Sequence, residues 1–385
     1  MSDELKQLEK AHIMATYKRN NLVLARGDGC YVFDEDGKKY LDFVGGIATC
    51  TVGHNNPEIV QAITTQAQKL ISVSNLYYSE PQILLAQKLS ELSGLKKVFF
   101  SHGGADANEA AIKVAKKATG KKEFIAFTNA FHGRTTGSLA LTWAEAYKEP
   151  FLPLAPVVRF AEYNNIDSLK AVINDQTAAV IVEPIQGEAG VIVPNADFLA
   201  AVRAVCSDRH VLMIVDEVQT GIGRTGTFFA YQHEIIQPDI VTAAKGLANG
   251  VPIGVCLSDY ELEAGEHGST LGGNCLSAAA ALATINYIQN HKLMQNAEEV
   301  GDYLMERLEG LGKTIALIQE VRGRGLMIGI ALNAPEASRI VETTMKNGLL
   351  CNAATATVIR LLPPLIATKQ QADECLEILE KAMQS

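Results

Sequence analysis

Val211-Leu212-Met213-Ile214-Val215-Asp216 is a continuous apolar run that ends on an acid. Lying between helical patterns, such a run reads as a strand covered on both faces of a parallel sheet. Ligands sit outside the carboxyl ends of such strands, which places Asp216 at a ligand edge. A carboxylate there is costly to bury unless a cation meets it.

Runs of the same kind at 98–101, 124–127, 179–182, 240–243 and 255–257 are separated by connections of strand–helix–strand length. Together they predict a mostly parallel sheet with helices on both faces, an α/β fold. Ahead of it, Cys30 to Phe33, the turn Asp34-Glu35-Asp36-Gly37 and Tyr40 to Phe43 read as a small hairpin. Asn56-Pro57-Glu58 opens a helix through about Ile71, with Asn56 as its cap and Pro57 at the first position. After Ser277 long helices follow, over about 277–290 and 293–310. A mixed stretch then leads to Thr368-Lys369-Gln370-Gln371, a capping box before an amphipathic helix over 369–383. At 385 residues the chain exceeds one typical core. The expected division is an N-terminal segment 1–52 that joins a smaller α+β domain 277–385, around a large domain 53–276.

The apolar fraction of 48% and charged fraction of 20% describe an ordinary globular chain. Net charge is −9 with no basic block, which speaks against nucleic acid and anionic membrane surfaces as partners. The seven cysteines include no CxxC pair or Cys/His cluster, so reduced thiols and a cytoplasmic setting are expected. The longest apolar stretch, Leu276 to Ile288, falls short of a membrane span.

Chemistry-bearing residues gather at the predicted strand ends. Lys245, in Ala243-Ala244-Lys245-Gly246-Leu247, follows Asp216 by twenty-nine positions. One cation suited to Asp216 is the protonated ring nitrogen of pyridoxal phosphate, and Lys245 would then be the Schiff-base lysine. Taken singly, Asp216 also suits a metal or a helix cap, and Lys245 a solvated surface position. Ser101-His102-Gly103-Gly104-Ala105 feeds a helix N-terminus whose free amides suit a phosphate, or else is a tight turn needing small residues. That helix carries Ala107, Ala110, Ala111, Val114, Ala115 and Ala118 on its expected buried side. Phe131-His132-Gly133-Arg134 brings an aromatic ring for stacking, or for core packing, and a guanidinium for a carboxylate. His132 offers a base, but reads rather as a packed, hydrogen-bonded histidine. Glu183 and Glu188, five positions apart with Pro184 and Gly187 between, point to separate tasks, and no His or Cys nearby supports a metal. Gly221-Ile222-Gly223-Arg224-Thr225-Gly226 fits the dinucleotide fingerprint letter for letter. The run Thr227-Phe228-Phe229-Ala230-Tyr231 follows it instead of a phosphate-capped helix, so it is read as a false positive for a nicotinamide or flavin enzyme.

With Tyr40-Leu41-Asp42-Phe43, Gly53-His54, Phe131 to Arg134, Asp216 to Gly221, His267-Gly268-Ser269-Thr270 and Arg360 to Leu365 in order along it, the chain resembles the class III, fold-type I pyridoxal-phosphate aminotransferases. The resemblance runs nearly end to end and is nearest to the branch that acts on N-acetylornithine. It implies transfer of that donor's terminal amine to 2-oxoglutarate, a step of arginine biosynthesis, by a homodimer whose active sites lie at the subunit interface. Ornithine, succinylornithine or 4-aminobutyrate are the alternative donors. It further implies that Lys245 carries the cofactor and moves the substrate proton, that Asp216 meets the ring nitrogen and that Gln219 neighbours the ring hydroxyl. Phe131 and Val218 would cover the two ring faces. Gly104 and Ala105 would give amides to the phosphate, with Thr270 reaching it from the second subunit. Arg134 with Tyr17 would take one substrate carboxylate and Arg360 the other, with Glu188 pairing with Arg360 when the keto acid is absent. Where the family has Asn-Ser-Gly or Asn-Thr-Gly, this chain has His102-Gly103-Gly104, so a hydroxyl contact is missing. Ala248-Asn249 and Cys275 depart from the pattern without an assigned consequence.

Overall fold

The computed structural model describes residues 2–385. Three short strands open the chain, β1 (Leu24–Asp28), β2 (Tyr31–Asp34) and β3 (Lys39–Asp42). A seven-stranded sheet follows, formed by β4 (Lys97–Ser101), β5 (Glu123–Phe127), β6 (Val157–Ala161), β7 (Thr177–Val182), β8 (Leu212–Asp216), β9 (Ile240–Ala243) and β10 (Gly254–Ser258). The C-terminal part adds β11 (Ile318–Arg324), β12 (Met327–Leu332), β13 (Leu349–Leu350), β14 (Asn352–Thr355) and β15 (Val358–Leu361).

The large sheet has the order β4-β10-β9-β8-β7-β5-β6. Only β10 runs against its neighbours, β9 and β4, so the sheet is mostly parallel as expected. Burial on both faces explains the continuous apolar runs. Along β8, Met213 and Val215 join one core cluster while Leu212 and Ile214 join the other, on the alternation that a pleated strand imposes. The strand β6 has no counterpart in the sequence reading. It lies at the sheet edge with two of its five residues exposed, and Val157-Val158-Arg159-Phe160-Ala161 lacks the unbroken apolar signal of a central strand.

Helix starts follow their local chemistry. Asn56 accepts from the amides of Glu58 and Ile59 and opens Pro57–Lys69, a cap worth about 1 kcal/mol. Thr368 and Gln371 close a reciprocal capping box ahead of Lys369–Gln384. The helix Gly104–Thr119 buries Ala107, Ala110, Ala111, Val114 and Ala115 against the sheet. Ala118, expected on the same side, is exposed in the last turn, before the helix stops at the left-handed Gly120.

The expected hairpin is present as β2 and β3. Its sheet, in the order β1-β2-β3-β13, takes its fourth strand from the C-terminal part, so the two ends of the sequence share one sheet. His54 Nε2 lies 2.8 Å from Asp42 Oδ2, while Asp42 Oδ1 accepts from the amides of Val44 and Gly45. The bond to Asp42, helped by Cys50, raises the His54 pKa to about 10, so the imidazole carries its proton at neutral pH. No helix among the described residues is long and apolar enough to cross a membrane.

Candidate active site

Five strand ends arrive at one edge of the large sheet. β4 leads into His102-Gly103-Gly104, β5 toward Phe131, β7 into Glu183, β8 ends on Asp216, and β9 leads through Ala244 to Lys245. Asp216 is 4% exposed. Its Oδ2 accepts from Asn108 Nδ2 at 2.8 Å and lies 2.7 Å from His132 Nδ1, and its Oδ1 accepts from the Val218 amide at 3.0 Å. Asn108 is held in turn, because Thr242 Oγ1 donates to its Oδ1 and its Nδ2 also donates to the His132 carbonyl. Both carboxylate oxygens of Asp216 are therefore fixed in direction.

Lys245 is a non-glycine residue with φ +35°, in the left-handed region. Backbone strain of that kind persists only where the surroundings over-determine it, and it concentrates at functional sites. Burial lowers the pKa of its amine, with Arg360 acting in the same sense and Glu188 and Asp216 against it. A lowered pKa leaves more of the amine unprotonated at neutral pH, the form that can attack a carbonyl or take a proton.

Lys245 lines a cavity of about 1090 Å³ together with Tyr17, Phe131, Arg134, Tyr147 and Glu188. The Arg134 guanidinium lies 3.4 Å from the Tyr147 ring centre and 5.5 Å from that of Phe131. Arg360, 1% exposed and not itself among the lining residues, donates from Nη1 to the cavity's Glu188 Oε1 at 2.7 Å and to Gln219 Oε1 at 3.1 Å. Its Nε donates to Asn352 Oδ1. Gln219 Nε2 also donates to Glu188. Burial by itself would raise the Glu188 pKa, but Arg360 and Lys245 outweigh it and hold the carboxyl below its ordinary value. The two acids of the β7 loop do separate work, since Glu183 accepts from the Phe131 amide and burial pushes its pKa up to about 7.

The turn before the helix Gly104–Thr119 has Gly103 at its cap, with no side chain occupying the first amides. A Cβ on Gly104 would come within 2.6 Å of Val218 Cγ1, so the turn is packed against the Asp216–Gln219 segment. This donor set fits pyridoxal phosphate. It offers uncapped helix amides for an anion, a buried and oriented carboxylate for a protonated ring nitrogen, and a lysine of lowered pKa in the adjoining cavity. His102 is exposed. Its ring lies 3.3 Å from Asp106 and 3.5 Å from Ser269 Oγ, where the family pattern has asparagine.

Thr270 is not among the residues lining the large cavity. It is exposed, on a surface loop whose Ser269 carbonyl accepts from Asn75 Nδ2. Sequence reasoning passed over Asn108, which holds Asp216, and Thr242, which holds Asn108. The signal available was a polar residue inside the alanine stripe of the phosphate-turn helix. Two departures from the family pattern also find partners: Asn249 bridges the Val52 amide and the Gly53 carbonyl, and Cys275 Sγ lies 3.2 Å from Ser79 Oγ. Among the described residues, no group of three or more His, Cys, Asp or Glu is placed to hold a metal.

The aminotransferase class-III family matches residues 13–383. The acetylornithine aminotransferase of Archaeoglobus fulgidus is 47% identical over 375 residues, covering 96% of this chain and 98% of that protein. Among solved structures, the ornithine aminotransferase of Toxoplasma gondii, with PLP at partial occupancy in its active site, superposes with a TM-score of 0.96 at 29% identity. The match covers 100% of this chain and 94% of that one. The acetylornithine aminotransferase of Elizabethkingia anophelis gives 0.89 at 35% identity, covering 100% and 99%.

Proposed function

The chain belongs to the class-III aminotransferases and is a pyridoxal-phosphate-dependent transaminase, and on that premise we propose that its donor is N-acetylornithine and its acceptor 2-oxoglutarate. The products are N-acetylglutamate semialdehyde and glutamate. One observation carries the choice of donor. Among the described residues, the only carboxylate lining the cavity is Glu188, and Arg360 already engages it. The α-nitrogen of ornithine is an ammonium that needs an acid near Arg134, whereas that of acetylornithine is a neutral amide that needs only ordinary hydrogen bonds.

Bound pyridoxal phosphate supplies the electron-withdrawing ring and the carbonyl carbon that carries the amine between substrates. The first amides of the helix at Gly104 and Ala105 would hold its phosphate, Phe131 and Val218 its ring faces, and Gln219 its ring hydroxyl. Asp216, fixed by Asn108 and His132, would keep the ring nitrogen protonated. Lys245 takes the substrate's proton and returns it. Arg134, with Tyr17, anchors the donor's carboxylate at the far end so that the terminal amine reaches the reacting centre. Arg360 takes a carboxylate of the acceptor, and Glu188 neutralises Arg360 when the acceptor is away.

Arg360→Ala is expected to raise the KM for 2-oxoglutarate far more than that for the donor. Loss of one partner from a desolvated charge pair costs about 2–5 kcal/mol, roughly 30-fold or more in affinity. Glu188→Ala is expected to act on the donor half-reaction, where Arg360 is left without its counter-charge. Half-reactions followed separately by stopped-flow absorbance test this exchange, and equal effects of both substitutions on both halves would refute it.

The working form we propose is a cytoplasmic homodimer, with residues 1–52 and 277–385 forming one unit beside 53–276. Free cysteine thiols support a reducing compartment. Leu70, Ile71, Leu76, Tyr77, Tyr78 and Leu271 are all exposed, Tyr78 to 98%, an apolar surface in need of a partner beside Thr270. If Thr270 serves the other subunit's phosphate, inactive Lys245→Ala and Thr270→Ala chains are expected to regain activity when mixed, since one composite site carries neither defect. No recovery after verified subunit exchange, with Thr270→Ala itself inactive, counts against the shared site.

A further inference from the structure

We propose that Arg224, inside Gly221-Ile222-Gly223-Arg224-Thr225-Gly226, is a positioning residue that sets where Arg360 stands and thereby governs binding of the acceptor's carboxylate. The motif that mimics a dinucleotide fingerprint is a joint between the active-site segment and the C-terminal sheet. No long helix follows it; turns lead to a short 3-10 helix at Ala230–Glu234. The Arg224 side chain is 2% exposed, and Nη1 donates to the Leu326 carbonyl at 3.0 Å and to the Pro363 carbonyl. The Arg224 carbonyl accepts from the Leu326 amide in return. Among the described residues it has no carboxylate partner. Burying a guanidinium on carbonyls alone is costly, and burial pulls its pKa down to about 10, which leaves it charged at neutral pH.

The loop is held hard in place. Ile222, a β-branched residue, has φ +60° and is 2% exposed. Gly223 has φ +86°, and a Cβ there would come within 3.0 Å of Leu365 and 3.2 Å of Met294. Such strain survives only where packing imposes it.

What the joint connects gives it a function. Arg224 follows Asp216 by eight residues and Gln219 by five, while Pro363 follows Arg360 by three. The two segments are thus pinned twice, by Arg360 Nη1 on Gln219 Oε1 at 3.1 Å and by Arg224 Nη1 on the Pro363 carbonyl. Both carbonyls, on two different chain segments, are reached from the single nitrogen Nη1, which the planar guanidinium holds in a more fixed place than a flexible ammonium stem would. Without that second pin, Arg360 Nη1 on Gln219 and the pairing of β15 with β12 and β14 alone set where Arg360 stands relative to Asp216. Displacements near 1 Å are worth up to about 10²-fold.

This inference rests on the reading that Arg360 binds the acceptor. The test compares wild-type holoenzyme with Arg224→Met, Arg224→Lys, Gly223→Ala and Arg360→Ala. Glutarate, an unreactive dicarboxylate, is titrated by calorimetry, and KM for both substrates and the melting temperature are measured. Arg224→Met is expected to weaken glutarate binding and raise the 2-oxoglutarate KM by roughly tenfold or more, leaving the donor KM within about twofold. Arg224→Lys is expected to fall between. If the methionine variant does not fold, the lysine and Gly223→Ala variants carry the same split. A lowered melting temperature with glutarate affinity unchanged, or equal losses for both substrates, overturns the proposal. If Arg360→Ala itself binds glutarate normally, the acceptor reading fails and this inference with it. Weak binding by Arg360→Ala beside normal binding by Arg224→Met sinks this inference alone.

Discussion

Lys245→Ala is expected to fold and to lose turnover by about 10⁴-fold or more. A positioned proton-transfer group contributes about 10²–10⁴-fold, and the same amine is also the nucleophile that holds the cofactor. The site gives this lysine both properties it needs. Burial lowers its pKa, and its left-handed backbone at the end of β9 aims it into the cavity shared with Phe131, Arg134 and Glu188. Sodium borohydride provides a second readout: reduction is expected to fix the cofactor to the wild-type chain, seen by mass spectrometry, and not to the variant. Near-normal turnover in a dialysed variant would mean that another group moves the proton.

Asp216→Ala is expected to be nearly as severe. Removing one partner of a buried charge pair costs about 3–5 kcal/mol, on the order of 10²–10³-fold or more in rate. The substitution also strips an acceptor from Asn108 Nδ2 and His132 Nδ1, so its melting temperature is expected to fall. Asp216→Asn removes the charge and keeps an oxygen for the Asn108 and His132 donors, losing only the acceptor for the Val218 amide. If Asp216→Asn has a wild-type melting temperature and wild-type rate, the charge is not what the reaction uses.

Most of the fold was legible because buried parallel strands are written as unbroken apolar runs, and the cap residues Asn56 and Thr368 announce their helices. β6 was not, since an edge strand open on one side carries a broken pattern. The site was legible where a residue type is scarce at a strand end, as with Asp216, Lys245 and the acids of the β7 loop. The supports of Asp216 were not: Asn108 and Thr242 lie 108 and 26 positions away and meet it only through the sheet's strand order. The glycine motif around Arg224 was legible as a false positive, but not the part it plays instead. Glycines chosen for close approach to neighbouring chain produce the same spelling as glycines chosen for close approach to a pyrophosphate.

Steady-state assays with 2-oxoglutarate, run side by side on N-acetylornithine and ornithine, test the proposed donor directly. With no unengaged acid lining the cavity among the described residues, kcat/KM for N-acetylornithine is expected to exceed that for ornithine by about 10-fold or more, at least roughly 1.4 kcal/mol of discrimination. Ornithine equal to or better than the acetylated donor would contradict the substrate proposed here.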